Sequence, residues 1–123
     1  MKLKKNKSII IEDIFKNSTY LDAHCATQDS ALLISNIDLK DGLADKQFEI
    51  ISIINNVNQS LPFEVHQKIP YKTFNVDEFI PDFNKDYVIV CNKGITSYDV
   101  TKKIKEKFPQ LAVFSLVNGI DNY

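Results

Sequence analysis

Apolar residues in this chain fall into short continuous runs separated by turn residues, and one longer stretch carries a helical period. Phe48 to Ile54 is β-branched and almost wholly apolar, which predicts a strand buried on both faces of a parallel sheet, ended by Asn55 and Asn56. Tyr87 to Val90 predicts a second strand, opened by the polar turn Asn84-Lys85-Asp86 and running straight into Cys91. After a loop from Cys91 to Ser97, the residues Val100, Ile104 and Phe108 recur at helical spacing with lysines between them, and Pro109 stops the helix. Leu111 to Leu116 predicts the next strand, so strand, loop, helix and strand form a βαβ unit.

Upstream the pattern is weaker. Ser35-Asn36-Ile37-Asp38 ahead of Leu39, Leu43 and Ala44 predicts a short capped helix with Asp38 as N-cap, interrupted by Gly42. Between Pro62 and Pro81, Tyr71 to Phe74 is expected to be a short strand and Asp77 to Ile80 a helical turn. Ile9 to Ser35 shows apolar patches without a period. The expected organisation is therefore an extension or linker over residues 1–34 and an α/β domain over residues 35–123.

Composition narrows the class. At 123 residues, 44% hydrophobic and 25% charged, the chain suits one globular domain. A net charge of -1 offers no global attraction for nucleic acid. The basic start, Lys2 to Lys7, reads as a solvated tail, and the apolar run after it stops at Glu12 and Asp13 without a cleavage site. With no apolar stretch near the ~18 residues of a membrane span, a cytoplasmic protein is expected. Cys25 and Cys91 are far apart and lack the spacing of a zinc or CxxC site. His24, His66 and Cys25 read as incidental surface residues.

Chemistry concentrates in the loop Cys91-Asn92-Lys93-Gly94-Ile95-Thr96-Ser97, between the C-terminal end of a buried strand and a helix N-terminus. Unpaired amides and the helix dipole there favour negative charge. A cysteine opening such a loop is expected to have a lowered pKa, with Lys93 adding positive charge and Gly94 allowing the backbone to curl. Thr96 or Ser97 would supply a hydroxyl hydrogen bond and the helix cap. The bland alternative is a strand-end cysteine behaving as a small hydrophobe.

The segments YVIVCNKGITS and VFSLVNGIDNY, with the helix between them, resemble the second half of rhodanese-like domains. In that family a strand delivers a sulfur-carrying cysteine to a loop of the form Cys-x-x-Gly-x-(Arg/Thr)-Ser, and a Gly-Gly-Ile-x-x-(Trp/Tyr) motif closes the domain. Asn118 stands here at the first of those glycines. Phe48 to Ile54 resembles the strand that usually ends in Asp-Val-Arg, with Ser52 and Ile54 in place of the aspartate and arginine, and Lys68 to Tyr71 resembles the His-Ile-Pro-Gly turn. A rival register would put Leu21 to His24 on that strand.

The resemblance implies a three-layer α/β fold, a central mainly parallel sheet flanked by helices. It also implies a sulfurtransferase without a cofactor. Cys91 would take sulfur from a donor, thiosulfate or the persulfide of a cysteine desulfurase, and pass it on from a persulfide held by residues 92–97. The basic start followed by a linker is similar to the tail of adenylyltransferases that activate ubiquitin-like sulfur carriers. That would make the acceptor such a carrier, in molybdopterin, thiamine or thiolated-RNA synthesis.

Two other readings stand beside this one. Cysteine-based phosphatases share the fold but grip phosphate with a loop arginine, and all 15 basic residues here are lysines. A non-catalytic rhodanese-like module that docks another protein is the second.

Overall fold

The computed structural model describes residues 28–45 and 47–123. The basic start, Leu21 to His24 and Cys25 lie outside them. Ala31–Tyr123 is the unit that carries the sheet.

Five parallel strands form the sheet: β1 (Leu33–Ile34), β2 (Phe48–Ser52), β3 (Gln67–Lys68), β4 (Asp86–Val90) and β5 (Val113–Leu116). Their spatial order is β1-β5-β4-β2-β3. β4 is flanked along its length, with Ser52 opposite Val90 and Ile89 opposite Ser115. The two main helices are α1 (Asn36–Ala44) and α2 (Ile95–Lys107).

The period-2 alternation of β4 sorts the core into two layers. Tyr87, Ile89 and Cys91 pack with Val100 and Ile104 of α2, together with Ile51 and Val113. Val88 and Val90 pack on the opposite face with Leu39 of α1, Ile50 and Leu116. Each fully buried Ile or Leu contributes on the order of 1.5–3 kcal/mol. Alternation therefore decides the face of Cys91: it must emerge beneath α2.

Several local expectations are corrected. Leu33 and Ile34, placed in the extension, pair with Ser115 and Leu116 and begin the sheet. The cap of α1 is Ser35, whose Oγ accepts the Asp38 N–H at 3.0 Å. Asp38 sits inside the first turn, where its charge suits the helix dipole. Gly42 is tolerated in that helix because the Phe48 ring occupies the space a Cβ would need.

Tyr71 to Phe74 is not a strand. Tyr71–Thr73 is a 3-10 turn, because the Thr73 and Phe74 amides bond back to the carbonyls of Pro70 and Tyr71. Val76–Glu78 is a second turn, one residue ahead of the expected one, and Asn75 caps it by accepting the Asp77 N–H.

His66 also does more than expected of a surface residue. Its N–H donates to the Ile50 carbonyl, and its Nδ1 accepts the Ile50 N–H, both at 2.9 Å. An imidazole thus continues the ladder of β2 ahead of the two-residue β3.

The turn after β5 anchors the segment that follows β4. Asn118 (φ 60) and Gly119 (φ 68) occupy left-handed backbone, and asparagine is among the few non-glycine residues that tolerate it. This accounts physically for an asparagine at the first position of the closing motif. Beyond it, the Ile120 N–H donates to the Cys91 carbonyl at 2.9 Å and the Asp121 N–H to the Asn92 carbonyl at 3.0 Å. A Cβ at Gly119 would overlap the Asn92 carbonyl.

Gly119→Ala is therefore expected to destabilise the domain by about 2–4 kcal/mol, combining positive-φ strain with backbone overlap. Asn118→Gly should be neutral or stabilising by up to about 1 kcal/mol. Urea unfolding of the two variants beside the parent checks both, and equal losses at the two positions would refute the account.

Candidate active site

Cys91 directly follows β4 and is 4% exposed. The chain then turns over Asn92 and Lys93, and Gly94 (φ 86) serves as N-cap of α2 without a side-chain cap. A glycine is required there: a Cβ would stand 2.8 Å from the Asn118 amide nitrogen in a backbone conformation that side chains resist. Ile95, Thr96 and Ser97 form the first turn of α2.

Donors converge on the sulfur. The Gly94 N–H reaches Cys91 Sγ at 3.1 Å and the Ser97 N–H at 3.3 Å. Ser97 Oγ lies 3.2 Å from the sulfur, and the Thr96 hydroxyl also bonds it. Burial pushes the thiol pKa up, but the hydroxyls of Ser97 and Thr96 and the two amides outweigh it, leaving Cys91 below the ordinary thiol value. The thiolate is the nucleophilic form.

Two roles expected of the loop differ in the structure. Lys93 Nζ is bound to Asp121 Oδ2 at 2.8 Å, which raises its own pKa, and the lowering of the Cys91 pKa comes chiefly from hydroxyls and backbone amides. The sulfur is served by neutral hydrogen-bond donors. Ser97 and Thr96 turn their hydroxyls to Cys91 and do not cap the helix. The geometry explains this: with Cys91 directly below the first turn of α2, a hydroxyl there meets sulfur sooner than a backbone amide.

The fully buried Ser97 is held further. Its Oγ lies 2.7 Å from Ser115 Oγ on β5, and its carbonyl accepts the Thr101 hydroxyl at 2.8 Å. Ser115 and Thr101 are also fully buried. Ser115 was not singled out in the sequence. Its signal was a lone hydroxyl in the run LAVFSL, at the alternation that faces α2.

A pocket of about 440 Å³ opens at Cys91. Ile53, Ile54 and Ile95 give it apolar walls, while Asn55, Asn56, Gln59 and Asn92 supply carboxamides. Gln59 Nε2 donates to Asn92 Oδ1 at 2.6 Å, tying the loop after β2 to the sulfur loop. Tyr71, also in the lining, donates its hydroxyl to Asp99 Oδ2 at 2.8 Å, and Lys103 bonds the same carboxylate. These residues of the β2 side were missed in the sequence because they reach the cysteine only through strand pairing.

Ser52 and Ile54 show how the end of β2 manages without the aspartate and arginine of the resembling motif. Ser52 Oγ accepts the Ile54 N–H at 3.2 Å, and Ile54 is buried in the core and the pocket wall. Among the described residues there is no cluster of His, Cys, Asp and Glu able to hold a metal ion, and no helix long and apolar enough to cross a membrane.

No family model matches the sequence, and neither does any curated protein. Solved structures do match. A rhodanese-related protein from Thermoplasma volcanium superposes with a TM-score of 0.56 at 18% identity, covering 73% of this chain and 87% of that one. A rhodanese homolog from Thermus thermophilus gives 0.56 at 19%, covering 72% and 96%. A Rhodopseudomonas palustris protein described as a possible tyrosine phosphatase gives 0.57 at 13%, covering 83% and 86%. Identities this low speak to architecture and not to chemistry, and the strand order, the two flanking helices and the superpositions agree: the fold of this chain is rhodanese-like.

Proposed function

We propose that this domain is a sulfurtransferase that carries sulfane sulfur on Cys91. The observation that supports it is the set of neutral donors around one buried sulfur at the mouth of a pocket. Such a cradle favours an anion at Sγ, and a persulfide anion needs the same stabilisation.

Two displacements complete the cycle. The Cys91 thiolate attacks the outer sulfur of a donor, forming a Cys91 S–S bond as the donor's own S–S bond breaks. The donor leaves with the bonding electron pair, as sulfite from thiosulfate or as a thiolate from a persulfide. An acceptor thiolate then attacks the terminal sulfur of Cys91, and the electron pair of that S–S bond returns to Cys91 Sγ. Neither step needs an outside oxidant. A cysteine desulfurase persulfide as donor and a ubiquitin-like carrier as acceptor complete the proposal, with the cytoplasm as the expected compartment. On such a carrier the terminal persulfide sulfur would attack the adenylated C-terminal carboxyl, and AMP would leave. A thiol attacking Cys91 Sγ would then release the thiocarboxylate and form a disulfide on Cys91 that a second thiol reduces.

The alternative of phosphate-ester hydrolysis lacks support. Its transition state calls for a bidentate cation on the phosphoryl oxygens, and every basic residue of this chain is a lysine. The reading as a non-catalytic docking module leaves the donors around Cys91 without a purpose.

Intact mass after incubation with thiosulfate, or with a desulfurase and cysteine, is the direct test. The parent should gain one sulfur atom that a reductant removes, and Cys91→Ser should gain none. A parent that stays unmodified by both donors would end the proposal.

The thiolate has its own test. Because donors to the anion lower the Cys91 pKa, its iodoacetamide alkylation should reach half-maximum below the ~8.5 of a free thiol. Ser97→Ala removes one donor, so the midpoint should rise and the rate at pH 7 fall, by roughly tenfold for one hydrogen bond to a charged group. A midpoint unmoved by that substitution would contradict the role given to Ser97.

A further inference from the structure

We propose that Ser115 is a positioning residue for Cys91, acting through the Ser97 hydroxyl to hold the sulfur as an anion. The inference rests on Cys91 being the nucleophile but does not depend on which sulfur donor or acceptor it serves.

The argument is a count of protons. Cys91 Sγ, Ser97 Oγ and Ser115 Oγ form a chain with separations of 3.2 and 2.7 Å. Ser97 and Ser115 are 0% exposed, so solvent cannot serve their hydroxyls. Among the described residues, Ser97 Oγ is the one side-chain partner that Ser115 Oγ has.

With sulfur as thiolate, Ser115 donates to Ser97 and Ser97 donates to sulfur, and each hydroxyl proton has an acceptor. With sulfur as thiol, the chain cannot be completed as well. If the S–H donates to Ser97 Oγ, Ser97 donates to Ser115, and the Ser115 proton is left in the core without an acceptor. If the S–H turns away, Ser97 donates to a neutral sulfur, a weak acceptor. A buried donor without a partner is destabilising, so the two-hydroxyl chain favours the anion. Hydrogen bonds in series also polarise one another, which strengthens the one that ends on charge.

Charged side chains do not supply this bias. Lys93 is bound to Asp121, and Asp99 to Tyr71 and Lys103. The titratable residues of β2 and β4 are Glu49, Asp86 and Tyr87, near the strand ends away from Cys91, and β5 has none. Near the sulfur, α2 presents Ile95, Thr96 and Ser97.

The test is a double-mutant cycle read by the pH profile of Cys91 alkylation. Ser115→Ala should move the midpoint upward and slow the reaction at pH 7 roughly twofold, the scale of cooperative polarisation. In a Ser97→Ala background the same substitution should leave the midpoint where it was, because the connecting hydroxyl is gone. Ser115→Thr keeps the hydroxyl and should retain the parental midpoint.

A Ser115→Ala midpoint equal to the parent's would overturn the inference. So would a shift of equal size in both backgrounds, which would mark Ser115 as a packing residue, or a Ser115→Thr midpoint displaced as far as that of Ser115→Ala. None of these readings involves sulfur transfer. A failure here therefore leaves the proposed activity standing, and a chain that never loads sulfur leaves the cycle readable.

Discussion

The central constraint is the convergence of N–H and O–H groups on one sulfur atom at the end of β4. Burial alone would hold Cys91 as a neutral thiol, since moving charge out of water is unfavourable. Oriented donors reverse that preference without a full positive charge. The effect depends on geometry: amides of the first helical turn have no intrahelical acceptor, and the sulfur lies where that acceptor would be.

Much of the fold serves to keep that geometry. Strand alternation sends Cys91 toward α2, and the flanking β2 and β5 hold β4 in place. Gly94 turns the chain into the helix, and the Ile120 and Asp121 amides grip the carbonyls of Cys91 and Asn92 from behind. Those carbonyls belong to the segment whose amides must face the sulfur. The closing turn, with its two left-handed residues, therefore acts on the site without touching the sulfur.

The site also shows how a sulfur pocket is built with few charged groups. Ser52 at the end of β2 and Ile54 just beyond it are uncharged, and the Ser52 hydroxyl accepts the Ile54 N–H. Lys93, the one cation of the loop, is held by Asp121. The pocket combines aliphatic walls and carboxamides with Tyr71, Thr96 and the Asp121-bound Lys93, beside a sulfur that accepts from neutral groups.

The sequence by itself determined the central strands, α2 and the loop between β4 and α2. Continuous β-branched runs such as Tyr87 to Val90, and the spacing of Val100 and Ile104, carry a strong local period. It also singled out Cys91 through Ser97 as the candidate site, because a strand end followed by a glycine and a helix start is a local arrangement. Tertiary structure alone decided the rest. Two-residue β1 and β3 have too few residues to show a period, so only their partners define them. The imidazole of His66 in the β2 ladder, the capture of Lys93 by Asp121 and the contact of Ser97 with Ser115 all join residues far apart in the chain. Side-chain propensity and spacing carry no information about which distant groups meet. That is settled when the sheet assembles and burial obliges each polar atom to find a partner.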